Sequence, residues 1–205
     1  MMTAPSLLAH ACGSAALLAS IISHVAAVHA KCAERAPVTG LGACIDAMAA
    51  HSARLTRQVN ELGFRLHYGS ASYTDHELKR IYIQAYDCAQ AETLGLNARA
   101  ALLAHELGHA EYGVRQDTAS RAAYIQSWCD AEGHAVINNI HARAETLQCT
   151  GRSVDIGLAA VNAPELLGLG LDRRRVGEAF CQSNFTSTTR QNYRDYYGAY
   201  YDAHY

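Results

Sequence analysis

The sequence predicts an α+β domain, mostly helical, with a small antiparallel sheet packed against the helix that carries its most informative motif. Two observations predict this. Apolar residues recur at steps of three and four through the first third and again through the middle of the chain, the spacing of buried or amphipathic helices. Between those stretches Ile81, Ile83 and Ala85 alternate with Tyr82, Gln84 and Tyr86, the period of a half-buried strand. Of the 205 residues half are hydrophobic, 18% are charged and three are proline, the balance of one folded domain over residues 1–205 rather than of a disordered chain.

Taken in order, Leu18, Ile21, Ile22, Val25 and Val28 predict an apolar helix within residues 1–30. Residues 5–30 hold no Asp, Glu, Lys or Arg and end in Val28-His29-Ala30. A buried core helix, a signal or translocation segment, and a membrane span are the three readings. The absence of a basic residue before the apolar stretch, and its dilution by Ser6, His10, Ser14, Ser20, Ser23 and His24, favour the first. Next, Ile45, Met48, Ser52, Leu55, Val59 and Leu62 predict one helix of five turns that Gly63 ends. Strands are expected over 64–68 and 80–86. Asn97 is expected to cap a helix reaching Tyr112, with Gly113 to stop it. Further helices are expected over 118–148 and 172–181. The final stretch, 193–205, holds six tyrosines and reads as packing or an interaction surface.

The formal net charge of −2 carries no basic excess, so nucleic acid is not an expected partner, and contact with a membrane is expected through residues 5–30 if anywhere. Seven cysteines show no CxxC pair, which leaves a zinc ribbon or thioredoxin-like motif unsupported. In an oxidising compartment Cys32 with Cys44, or Cys129 with Cys149, are candidate pairs, with free buried thiols the alternative and the connectivity open.

His105 and His109 stand four apart on a predicted helix, so both imidazoles project from one face and can grip one ion. Glu106 lies beside them. In this HExxH arrangement the glutamate is not a ligand but the general base over the open coordination position. Zinc suits nitrogen and oxygen ligation of this kind. A third ligand is needed. An extended motif with glycine at 112 and histidine at 115 would supply it, but the chain has Tyr112 and Arg115. On the helix that follows, at about 100° per residue, Ile125, Trp128, Cys129, Ala135, Val136 and Ile140 flank Glu132. A carboxylate in the middle of an apolar face is costly to bury without a cation, while Asp130 and His134 project from the polar side. Glu132 is therefore the expected third ligand, with pairing to Arg99 or Arg121 as the alternative. His134 and His141 are expected to face solvent. Tyr112, Tyr124, His134 or a tyrosine of the C-terminal cluster is expected to stabilise an oxyanion.

The run Ala104-His105-Glu106-Leu107-Gly108-His109-Ala110, followed by Asp130-Ala131-Glu132-Gly133-His134-Ala135, resembles the gluzincin branch of zinc metallopeptidases. The resemblance covers about residues 80–144. It implies a zincin-like fold, zinc on His105, His109 and Glu132, and Glu106 as base and then proton donor to the leaving amine. The short spacing is similar to that of metallopeptidase toxin or effector domains delivered by bacterial secretion systems. That similarity implies a protein or peptide substrate, an immunity or delivery protein as a further partner, and a place outside the producing cell, in the periplasm or in a target cell. Two alternatives stand beside this reading. One is a cell-wall peptidoglycan amidase or peptidase with the same chemistry. The other is a non-catalytic binding protein whose structural zinc is closed by a fourth ligand from His134 or a cysteine.

Overall fold

The core forms where the predicted apolar faces meet: Ile45, Leu55, Ile81, Ile83, Leu103 and Leu107 are each no more than 1% exposed. The structure, a computed structural model, describes residues 32–90 and 92–205. The apolar helix expected within residues 1–30 lies outside them. The elements run α1 (Ala43–Ala49), α2 (Ala53–Glu61), β1 (Arg65–Gly69), β2 (Tyr73–Asp75), β3 (Arg80–Gln84), α3 (Thr93–Tyr112), α4 (Arg121–Cys149), α5 (Ala163–Gly168), α6 (Arg173–Ser183) and α7 (Tyr193–His204). This is the expected α+β, mostly helical fold, with a three-stranded sheet packed on α3.

The single five-turn helix expected through Ile45 and Leu62 is instead two helices broken at Ser52. Its hydroxyl accepts a hydrogen bond from Leu55 N at 3.2 Å, capping α2, and donates one to Glu145 Oε2 at 2.7 Å. A serine in an apolar stripe was the signal for the break, because its side chain competes with the helical backbone for hydrogen bonds. Gly63, at φ 71°, follows α2 in the left-handed region, as a helix stop requires.

The sheet is mixed where an antiparallel pair was expected. Its order is β1-β3-β2, with β1 parallel to β3 and β2 antiparallel to it. The cause is β2, a strand of only three residues that reverses the chain between the two expected strands. A turn at 76–79, with Leu78 N donating to Asp75 Oδ1, then feeds β3 into the slot between its predecessors. Ile81 and Ile83 face the core, whereas Gln84 is exposed.

The motif helix α3 starts at Thr93, four residues before the expected cap, because Leu96 packs on the core and carries helix past Asn97. It stops at Gly113 as expected, with Gly113 N bonded to His109 O at 2.8 Å. The longest helix, α4, is capped by Ser120, whose hydroxyl accepts from Ala123 N, and α6 by Asp172. Two close approaches hold α4. A Cβ added at Gly108 of α3 would lie 2.7 Å from Ala135 Cα. On the other side a Cβ at Gly133 would lie 2.2 Å from Arg173 O, and one at Gly177 2.0 Å from Cys129 O. Only glycine permits these helices to cross so near.

The six described cysteines form Cys32–Cys149, Cys44–Cys88 and Cys129–Cys181. Neither expected pair occurs. Cys129 and Cys149 lie on one helix, about 30 Å apart at about 1.5 Å per residue, far beyond disulfide reach. Cys32 reaches Cys149 in place of Cys44. Three disulfides are compatible with an oxidising, extracellular-type compartment. Among the described residues no helix is long and apolar enough to cross a membrane.

Candidate metal centre

The chain fixes α3 from behind before it presents the motif. Asn138 Nδ2 of α4 donates to Ala104 O at 2.7 Å, one residue before His105. Gln58 Nε2 lies 2.8 Å from Asn138 Oδ1 and 2.7 Å from Glu111 Oε2, and Arg57 adds a 2.6 Å bond to Glu111. The motif is thereby pinned at both ends by groups of α2 and α4. Phe180 of α6 stacks on the His105 ring, with centroids 5.3 Å apart.

On the open side, His105, His109 and Glu132 come together as one potential ligand group. His105 Nε2 lies 3.2 Å from Glu132 Oε2, His109 Nε2 lies 3.3 Å from the same oxygen, and the two Nε2 atoms are 3.1 Å apart. With bonds of about 2.0–2.1 Å, the edge of a tetrahedral zinc ligand set is about 3.3 Å, so this triangle has the dimensions of three tetrahedral corners. Glu132 is 3% exposed and lies on the buried face expected for it. Neither arginine considered as its partner reaches it: Arg99 donates to Gln84 O and Ala85 O, and Arg121 pairs with Asp202.

Burial pushes the His109 pKa down, but the charge and hydrogen bond of Glu132 outweigh it and lift the imidazole to about 9. For Glu132 burial acts upward, and the two histidines overcome it and hold the carboxyl well below its usual range. Such a carboxylate is ionised at neutral pH, as a ligand must be.

Glu106 is 5% exposed, and burial raises its carboxyl above the ordinary range against the lowering influence of both histidines. Thr74 Oγ1 of β2 lies 2.8 Å from Glu106 Oε2 and 3.0 Å from its carbonyl oxygen. A cleft of about 400 Å³ opens over Glu106, His109 and Glu132, with β2 along one side and α4 and α7 along another. Of the expected oxyanion donors, Tyr124 lines this cleft, as do Tyr193, Tyr196, Tyr197 and Tyr200. Tyr112 and His134 do not. They stack on each other with centroids 4.6 Å apart, beside a second cleft that also holds Arg173. His134 and His141, expected to face solvent, are half-buried.

Sequence reasoning missed two groups. Tyr197 of α7, 6% exposed, donates to Glu132 Oε1 at 2.6 Å and so holds the oxygen that does not face the histidines. Thr74 holds Glu106. The spacing of Tyr193, Tyr197, Tyr200 and Tyr201 is a helical stripe and was the available sign that one face of the tail is buried; Thr74 left no sign in sequence. No known protein family, curated protein or solved structure matches this chain.

Proposed function

We propose that this chain is a zinc-dependent metallopeptidase of the gluzincin type, acting on peptide bonds outside the cell that makes it. The observation that carries the reading is the convergence of three donor atoms at tetrahedral spacing, with a buried carboxylate next to them in the same cleft. His105, His109 and Glu132 would hold the ion. When bound, zinc supplies Lewis acidity that acidifies water and polarises a carbonyl. Glu106, its proton affinity raised by burial, takes a proton from the attacking water and returns it to the leaving nitrogen. Thr74 fixes the rotamer from which it does so. Burial, with Glu132 and Glu106 nearby, pushes the Tyr193 phenol well above its usual range, so this cleft residue keeps its O–H as a hydrogen-bond donor for developing negative charge.

A closed structural zinc site needs a fourth protein ligand. Among the described residues the ligand group contains three, all six cysteines are in disulfides, and His134 is engaged by Tyr112 and Arg173. These observations support an open coordination position. The disulfides support a working place in an oxidising compartment, outside the cell or in a periplasm; delivery into a target cell, with an immunity or delivery protein as partner, is the alternative route to a substrate. Glu106→Gln tests the chemistry. Peptide hydrolysis is expected to fall about 10²–10⁴-fold with zinc content unchanged; full activity in that variant rules the reading out.

A further inference from the structure

We infer that the cleft beside the metal triad takes an uncharged aromatic side chain of its ligand, and that Tyr200 at its mouth sets this preference. The statement that this ligand is a peptide substrate rests on the proposed peptidase activity.

One wall of the cleft is aromatic, formed by Tyr124 and Trp128 of α4 with Tyr196 and Tyr200 of α7. The rings support one another. Tyr124 and Tyr200 are parallel within 1° at 6.0 Å between centroids, and Trp128 stacks on Tyr197 at 5.1 Å. A ring entering this wall meets surfaces already held in place, so little side-chain freedom is lost on binding. Short hydroxyl residues, Ser72 and Thr74 with Thr186, Ser187 and Thr188, line the cleft too, together with Tyr73 and His76. Ser187 Oγ donates to Ser72 O at 2.6 Å, which ties the loop between α6 and α7 to the sheet and closes that end. A cavity of about 400 Å³ bounded in this way suits one large side chain with its neighbouring backbone.

Charge decides which side chain. The described lining contains no Lys, Arg or Asp, and its only carboxylates are Glu106 and Glu132 of the centre itself. Apart from the groups of the centre and His76, the lining offers an acidic or basic side chain no charged partner, and an unpaired charge is expensive to bury. An aromatic ring buries about 150–250 Å² against like surfaces at no such cost. Tyr200, 42% exposed, is the member of the aromatic wall most open to solvent, and a charge introduced there would lie at the entrance.

The test uses the zinc-loaded full chain and N-acetylated hydroxamates of phenylalanine, lysine and glutamate, with affinities read by titration calorimetry. Phenylalanine hydroxamate is expected to bind at least about tenfold more tightly than either charged one, and Tyr200→Arg to narrow its lead over the glutamate compound at least about fivefold. Equal affinities overturn the inference, as does a Tyr200→Arg variant that discriminates like wild type. Internally quenched peptides varied at one position run beside it. Cleavage that favours an aromatic residue next to the bond supports the inference, and cleavage indifferent to charge there overturns it. Discrimination among the hydroxamates with no peptide cut in the set leaves the aromatic cleft standing and removes the peptidase reading beneath it.

Discussion

Replacing Tyr197 by phenylalanine removes one hydrogen bond and leaves the ring that packs on Trp128 in place. That bond is 2.6 Å long, runs to a carboxylate 3% exposed, and comes from a residue 6% exposed. A hydrogen bond to a charged partner contributes about 1.5–3 kcal/mol net. At about 1.4 kcal/mol per tenfold change, its loss corresponds to about 10–100-fold in zinc affinity, the range found when groups that orient metal ligands are removed. The loss falls on metal binding because Tyr197 holds Oε1, and holding Oε1 directs Oε2 to the two Nε2 atoms. Competition with a chromophoric chelator near neutral pH gives the dissociation constant, and thermal unfolding followed by circular dichroism checks that the fold is retained. A Tyr197→Phe variant that binds zinc within about threefold of wild type, with an unchanged melting temperature, would refute the reasoning.

Two further predictions concern the supports behind the motif. Gly108→Ala places a Cβ 2.7 Å from Ala135 Cα, an overpacking expected to cost about 1–3 kcal/mol and to lower the melting temperature by about 2–12 °C in a scanning calorimeter. Burial alone would raise the Glu111 carboxyl, but Arg57 and Gln58 hold it below its usual range. Because the folded value is depressed, the contribution is fully present above the unfolded value of about 4.3 and disappears as pH falls through the folded one. Glu111→Gln is therefore expected to destabilise the protein by about 1–2 kcal/mol at pH 7 in urea unfolding, and the gap from wild type to close below about pH 4.

What sequence carries and what it does not divides along a physical line. His105, Glu106 and His109 were legible because helical spacing alone puts two imidazoles on one face, and Glu132 because a carboxylate centred on an apolar stripe needs an explanation. Ile81 and Ile83 were legible for the same reason, since alternation states directly which side is buried. Features set by distant chain segments were not. Tyr197 reaches Glu132 across 65 residues, and nothing in a run of tyrosines singles out the one that does so. The three disulfides join cysteines 44 to 117 residues apart, which spacing does not assign. The parallel pairing of β1 with β3 follows from β2, too short at three residues to leave a periodic signature. At Ser52 a local preference for capping prevailed over a hydrophobic period that ran through it.

The central claim is that His105, His109 and Glu132 form one zinc site, and the zinc content of purified protein tests it most directly. Wild type and Glu132→Ala are dialysed against a weak chelator and measured by elemental mass spectrometry. About one zinc per chain in wild type and its loss from the variant is the predicted result. Wild type without zinc, or a variant that retains it as wild type does, would contradict the account.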